Sequence, residues 1–357
     1  MKKATLVLAV LAVSTSAAWA QSSVTLYGVV DAALRYTTNA NAGQSTKQLV
    51  PGGMSQSRLG VNITEDMGGG LKALANLEHR LNSDTGAASS ATDFWRQAWV
   101  GLQSADLGQV RLGRQYNILF DAYSSTFASF RYSPYIEAYK PELGMALGAR
   151  QSNMVKYLAD LGGLRVELQV SAGEGAAGVP DKSMGGMLRY VAGPFAMAGA
   201  LLQTQESAGG KIKEMLIGAA YTLGPLYLHA AYADNRFDNS VSALTRATYT
   251  AGLAPANVAL AATSANVKKR TMVKVGATYQ LTPHVNLGAS YWSLKQDPLL
   301  GTTKSKGDYM AAVADYAFSK RSDVYLEVDY TKFTGNLAFA NSAKKRGGAM
   351  VGVRHRF

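Results

Sequence analysis

Along most of this chain apolar and polar residues alternate with a period of two, the pattern of strands whose two faces meet different surroundings. Over 24–35, Val24, Leu26, Gly28, Val30, Ala32 and Leu34 share one face, while Thr25, Tyr27, Asp31 and Arg35 share the other. The same rhythm sets Leu164, Val166, Leu168 and Val170 against Arg165, Glu167 and Gln169. It sets Val273, Val275, Ala277 and Tyr279 against Met272, Lys274 and Thr278, and it recurs at 226–232 and 324–331. At the far end Ala349, Val351, Val353, His355 and Phe357 alternate with Met350, Gly352, Arg354 and Arg356. These runs are about ten residues long, the length a tilted strand needs to cross a bilayer. Helical periodicity is scarce beyond residue 20.

The connections alternate too. Short turns are predicted at 65–70, 104–109, 160–163, 192–195, 222–225, 281–284 and 319–323. Long polar loops fall near 38–54, 82–93, 115–149, 173–182, 236–267, 295–306 and 334–345, with a shorter link at 206–210. Seven turns and eight loops join sixteen strands, short connections at one rim and long ones at the other. The fold class predicted is all-β: a 16-stranded antiparallel transmembrane barrel. An even strand count returns both ends to one rim, so the last strand can pair with the first and leave no edge in hydrocarbon. A secreted β-sandwich fits less well, because its strands run near 5–6 residues and no linker divides this chain. Tyr36, Tyr221, Tyr232, Tyr279, Tyr291, Tyr316, Tyr330 and Phe357 fall near strand ends on the apolar side, where interfacial aromatics belong.

The first twenty residues break the pattern. A basic "MKK", an apolar ten-residue run and a small-residue stop ending at Ala20 predict a cleaved secretory signal over 1–20, with the barrel over 21–357. The apolar run is too short to span a membrane, which takes roughly 20 residues. Removing 1–20 leaves 34 basic and 24 acidic residues, a net charge of +10. There is no cysteine, so a disulfide framework and thiolate metal sites are excluded. His79, His229, His284 and His355 lie far apart, without metal-ligand spacing, and no nucleophile elbow or phosphate loop occurs. No cofactor, metal or catalytic residue is therefore predicted, and the chain does not read as an enzyme. Basic residues are spread along the chain rather than clustered as in nucleic-acid binders, so no nucleic-acid partner is predicted. Several fall on polar strand faces: Arg35, Arg58, Lys72, Arg165, Lys274, Arg354 and Arg356. In a barrel of this size those faces line water, and fixed positive charge there enriches anions.

The segments "SVTLYGVVDAAL", "SRLGVNITEDMGGGLKALANLE", "RQAWVGLQSADLGQVRLGRQY", "RQSNMVKYLA" and "GVRHRF" closely resemble the trimeric general diffusion porins of Gram-negative bacteria, in particular the anion-selective β-proteobacterial branch. The resemblance implies an outer-membrane homotrimer that passes small hydrophilic solutes, with anions preferred. It also implies outer-membrane lipid and the barrel assembly machinery as partners, the latter through a terminal aromatic, here Phe357. The third long loop is expected to fold into the lumen and supply Asp121, Glu137 and Glu142, with Arg58, Arg96 and Arg150 facing it. Strand phase agrees for Arg58 and also turns Glu78 inward. For Arg96 it conflicts, since placing Ala98, Val100 and Leu102 outward carries Arg96 outward as well. A substrate-specific channel or a barrel hydrolase is the alternative reading.

Overall fold

A computed structural model of the protein describes residues 22–41, 43–89, 94–146, 148–173, 180–255 and 258–357. The expected signal segment lies outside them. The described residues contain seventeen strand segments: β1 (Ser23–Asn41), β2 (Gln44–Val50), β3 (Arg58–Gly68), β4 (Leu71–Arg80), β5 (Trp95–Ser104), β6 (Gly108–Tyr116), β7 (Arg150–Leu161), β8 (Leu164–Ser171) and β9 (Pro180–Ala192). The series continues with β10 (Phe195–Glu206), β11 (Lys211–Leu223), β12 (Leu226–Phe237), β13 (Lys269–Gln280), β14 (Val285–Asp297), β15 (Ser305–Ala317), β16 (Ser322–Thr334) and β17 (Lys345–Arg356).

Seventeen segments make sixteen staves. The long strand β1 pairs with β3 through Ser23–Val29 and with β2 further along, so β2 and β3 share one position in the wall. The region expected as a long loop at 38–54 is thus mostly a hairpin, and the chain leaves the wall instead at 51–57. There Pro51 has no N–H for the ladder, and the following residues turn inwards: Met54 is fully buried. The Asp31 carboxylate receives the N–H groups of Gly53 at 3.0 Å and Ser55 at 2.7 Å, and the Tyr325 hydroxyl at 2.5 Å. Every other neighbouring pair is antiparallel, and β17 closes on β1 from Val29↔Arg356 to Thr37↔Gly348. Phe357 continues that ladder through two backbone bonds with Gly28. The seven short turns fall where alternation stops.

Strand phase decides what each surface meets. Val24, Leu26, Leu34, Leu168, Val170 and Val353 stand outwards and exposed, while Asp31, Arg35, Glu167, Gln169 and Arg354 stand inwards. Exposed tyrosines occupy both ends of the outer face, Tyr221, Tyr279 and Tyr316 near the short turns and Tyr36 and Tyr330 near the long loops. No helix among the described residues is long or apolar enough to cross a membrane; strands form the spanning wall.

The third loop, 117–149, fills much of the interior. It begins with helix α1 (Ile118–Thr126), whose first turn is capped by the Asn117 side chain accepting from the Phe120 N–H at 2.9 Å. The same side chain donates to the Ala146 carbonyl at 2.8 Å and so ties the end of the loop to its start. Apolar residues then pack against β10–β16. Phe127 lies over Gly218 and Phe130 over Gly288, where a Cβ would come within 2.6 Å of either ring. The wall uses glycine there because a side chain would collide with the ring. Tyr139 inserts between Trp292 and Tyr309 and bonds to the Tyr330 carbonyl at 2.7 Å. Each fully buried aromatic contributes about 1.5–3 kcal/mol of hydrophobic stabilisation, so the loop is packed as core rather than left to move in water.

Candidate constriction site

Opposite the packed wall, β3–β7 bring arginines together. Arg58 and Arg80 are direct partners across β3 and β4. Arg96 reaches the same place through a β-bulge: Glu78 pairs with Gln97, and His79 with Trp95, leaving Arg96 as the extra residue. A bulge shifts alternation by one, so Trp95 turns outwards and Arg96 inwards. This resolves the conflict in phase, since the outward placement required an unbroken strand. Arg150 opens β7 immediately after the inserted loop.

Tyr116 and Tyr135 hold the guanidiniums in position. Arg96 donates to the Tyr116 hydroxyl at 2.8 Å and to the Tyr135 hydroxyl at 3.2 Å. Arg150 lies over the Tyr116 ring, 5.4 Å from its centre, and Lys140 over the Tyr135 ring at 5.3 Å. Glu78 anchors the group, 3.1 Å from Arg96 and 3.9 Å from Arg58, and also accepts from the Tyr27 hydroxyl at 3.1 Å. From the loop side Glu137 pairs with Lys140 and faces Arg80 and Arg96. Burial works against its charge, but Lys140, Arg80 and Arg96 outweigh it and hold the carboxyl below its usual range. Burial pushes the neighbouring Lys140 ammonium down to about 8, with Glu137 opposing the shift.

Five cations therefore meet two carboxylates, and donors are left over. Nε and Nη1 of Arg150 and Nη1 of Arg96 are buried without a partner among the described residues. Such donors demand an acceptor, which water or a passing anion can supply. The arrangement is a local positive field with unmet hydrogen-bonding capacity, and it contains no nucleophile–base pair.

Two expected members lie elsewhere. Asp121, on α1, pairs with Lys156, which is also 3.7 Å from Glu167. Glu142 accepts from the Tyr123 and Ser129 hydroxyls and latches the loop to itself on the side of Lys274. Nothing local in "PELG" distinguishes an acid that faces arginines from one that ties its own loop. Arg80 was not anticipated, although Glu78 points inwards and a residue two further along a strand must do the same. The inward residues Arg35, Lys274 and Arg354 do not line water either. Arg35 is paired with Glu327 at 3.2 Å and Asp329 at 2.5 Å, Arg354 with Asp323 at 3.0 Å, and Lys274 caps the Phe127 carbonyl at 2.7 Å.

A closed membrane-spanning barrel, narrowed by an inserted loop and lined at the narrowing by arginines, is a transmembrane channel. The chain belongs to the Gram-negative porin family, whose model it matches over residues 4–336, and it is an outer-membrane protein. It is 34% identical to outer membrane porin protein 32 of Delftia acidovorans over 258 residues, 68% of this chain and 72% of that one. It is 30% identical to an outer membrane porin protein of Bordetella pertussis along the full length of both. Among solved structures, an anion-selective porin from Comamonas acidovorans superposes with a TM-score of 0.73 at 24% identity, covering 94% of this chain and 100% of that one. OmpT of Vibrio cholerae in its trimer form superposes with a TM-score of 0.68 at 17% identity, covering 94% and 99%. These relatives are channels, not enzymes.

Proposed function

We propose that this porin passes small hydrophilic solutes by diffusion with a preference for anions, and that Arg58, Arg80, Arg96 and Arg150 impose the preference. The observation that supports this most directly is the surplus of guanidinium at the narrowing, with Arg150 donors left unmet. Similarity to a porin described as anion-selective points the same way. Two unit charges 4 Å apart interact by about 1 kcal/mol in bulk water and about 4 at an effective dielectric of 20. A confined pore lies between those limits, so removing one arginine should shift selectivity several-fold without closing the channel. The test is Arg58→Ser and Arg150→Ser, singly and together, in planar bilayers under a KCl gradient. The reversal potential should move towards cations, furthest in the double variant, and the shift should shrink as salt rises. An unchanged potential in the folded double variant would move the selectivity to charge elsewhere along the lumen.

The working unit in this reading is a homotrimer, supported by the trimer form of OmpT. Unheated detergent extracts should run as trimers and boiled ones as monomers; a monomer under gentle extraction and crosslinking would refute it. Among small residues of the first strands, Gly28 lies beneath the chain's own Phe357 ring and Gly60 beneath Tyr27. Neither is open to a neighbour. The reading also includes export through a signal ending at Ala20, which N-terminal sequencing of the mature protein checks. Phe357, outward and 43% exposed, is the candidate assembly signal. Its deletion should slow delivery to the outer membrane more than it weakens a refolded barrel, and normal delivery would refute the role.

A further inference from the structure

The inward break at 51–57 is a second piece of chain inside the barrel, and it joins both sides of the narrowing. β2 ends at Val50 opposite Ala33, and β3 begins with Arg58 opposite Val29. Residues 51–57 therefore replace the short run of strand that would face 30–32, and the surplus chain folds into the lumen. Two glycines permit the fold: Gly52 has a φ of +125°, and a Cβ on Gly53 would strike the Tyr325 hydroxyl.

Asp31 holds this insert. It is fully buried, and its carboxylate accepts the Gly53 and Ser55 N–H groups and the Tyr325 hydroxyl. The same hydroxyl accepts from the Met54 N–H at 3.3 Å. Ser57 closes the far end, its Oγ accepting from the Asp31 N–H at 2.9 Å and donating to the Asp31 carbonyl at 3.0 Å. From the insert, bonds run two ways. Towards the arginine wall, the Gln56 carbonyl accepts from Arg58 Nε at 3.1 Å, and the Gln56 side chain donates to the Leu81 carbonyl, next to Arg80, at 3.0 Å. Towards the inserted loop, the Gly53 carbonyl accepts from the Ala138 N–H at 2.9 Å and the Met54 carbonyl from Ser133 Oγ at 3.0 Å. Those two contacts bracket Tyr135 and Glu137, the loop residues that meet Arg96 and Arg80.

We propose that Asp31 is a positioning residue of the channel: through 51–57 it fixes Arg58 and loop segment 133–138 relative to one another, and so sets the width of the narrowing. Being buried, it acts through what it holds rather than on the solute. Its effect on selectivity rests on the arginine reading above; its effect on pore width does not. The sign of the effect separates position from charge. Losing an acid from the wall would, by charge alone, make the lumen more positive and raise anion preference. Released from Asp31, Arg58 and the loop move apart, the field at the centre of the path falls, and anion preference drops.

Planar-bilayer recordings under a KCl gradient compare Asp31→Asn, Tyr325→Phe and Ser133→Ala with wild type, and urea unfolding of the refolded barrels reports stability. Asparagine keeps one acceptor oxygen but turns an amide donor towards a backbone N–H. Tyr325→Phe alters no charge, and Ser133→Ala removes one bond between insert and loop while leaving Asp31 untouched. In Asp31→Asn and Tyr325→Phe conductance should rise and the anion-to-cation permeability ratio should fall, by about twofold. Ser133→Ala should give a smaller change of the same sign. Tyr325→Phe should shift the ratio less when Arg58 is already serine, because both changes act at one place. Lower unfolding midpoints with wild-type conductance and reversal potential would reduce Asp31 to a structural role and overturn the proposal. So would a raised anion preference in Asp31→Asn. If Asp31→Asn does not fold, Tyr325→Phe and Ser133→Ala carry the decision. If Arg58→Ser with Arg150→Ser leaves the reversal potential unmoved, the anion reading falls, and conductance in Tyr325→Phe alone decides for or against Asp31.

Discussion

The lumen has two unlike walls. On β3–β7, arginines outnumber carboxylates and Arg150 keeps buried donors without partners. On β13–β17 and β1, Arg35 is matched by Glu327 and Asp329 and Arg354 by Asp323, while Arg346 donates to the Asn39 carbonyl at 3.1 Å and keeps only Nη1 unmet among the described residues. Arg270 is met by Gln296 at 3.0 Å and Thr250 at 2.8 Å. Residue type and strand phase are the same on both sides. What differs is the neighbour across the ladder: the packed wall places acids beside Arg35 and Arg354 and neutral acceptors beside Arg270 and Arg346, and all four are buried. An inward arginine is thus not by itself a pore residue; it becomes a candidate where its charge is left unbalanced by neighbouring carboxylates.

The comparison can be broken most directly by exchanging its consequences. Arg35→Ala should leave Glu327 and Asp329 buried without their cation, in a setting where removing one partner costs about 3–5 kcal/mol. The midpoint of urea unfolding of the refolded barrel should fall accordingly, while the reversal potential of the channels that do form stays near wild type. Arg150→Ser should do the opposite, changing selectivity with little loss of stability. If Arg35→Ala shifts the reversal potential as far as Arg150→Ser does, the division into two walls is wrong.

A smaller effect tests the packing that creates the division. Gly288→Val places a branched side chain where the Phe130 ring lies 2.6 Å from the new Cβ. A rigid ring cannot yield as a flexible chain end can, so the loop must shift away from the packed wall, at about 1–3 kcal/mol for overpacking. That movement is towards the arginines and narrows the water between them and the loop. Single-channel conductance should drop, and the same conductance in a folded variant would mean that the loop does not bound the path.

Much of this was legible in the chain, for a stated reason. Alternation with a period of two is local, so turns, strand phase and closure of β17 on β1 could be read residue by residue. Arg96 could not, because a single bulge opposite Glu78 and His79 inverts the phase and leaves no mark in the alternation around Ala98 and Val100. Arg80 could have been read from Glu78 and was overlooked. The loop acids lay beyond local reasoning: Glu137 and Glu142 are five residues apart, yet one meets Arg80 and Arg96 while the other meets Tyr123 and Ser129. Their difference arises from how an irregular segment packs against strands distant in sequence. The break at 51–57 was hidden similarly, since Asp31 and Tyr325, which draw it inwards, lie 294 positions apart.

The smallest expected effect concerns proton binding on the inserted loop. Lys140 lies beside the arginine group, and burial brings its ammonium down to about 8. Its charge is present below that pH and lost above it, whereas guanidiniums remain charged throughout. Glu137 stays ionised across this range, because its carboxyl is held below the usual value. Raising pH from 7 to 9 therefore removes one cation from the narrowing and no anion, and anion preference should weaken. The change should be smaller than that from losing Arg150, because Lys140 is already paired with Glu137 and its charge is partly spent on that contact. Reversal potentials across this range in wild type and Lys140→Gln decide the matter. The wild type should drift towards cations with a midpoint near 8, and the variant should start at the shifted value and stay flat. A drift of equal size in Lys140→Gln would assign the titration to another group and remove Lys140 from the sources of the preference.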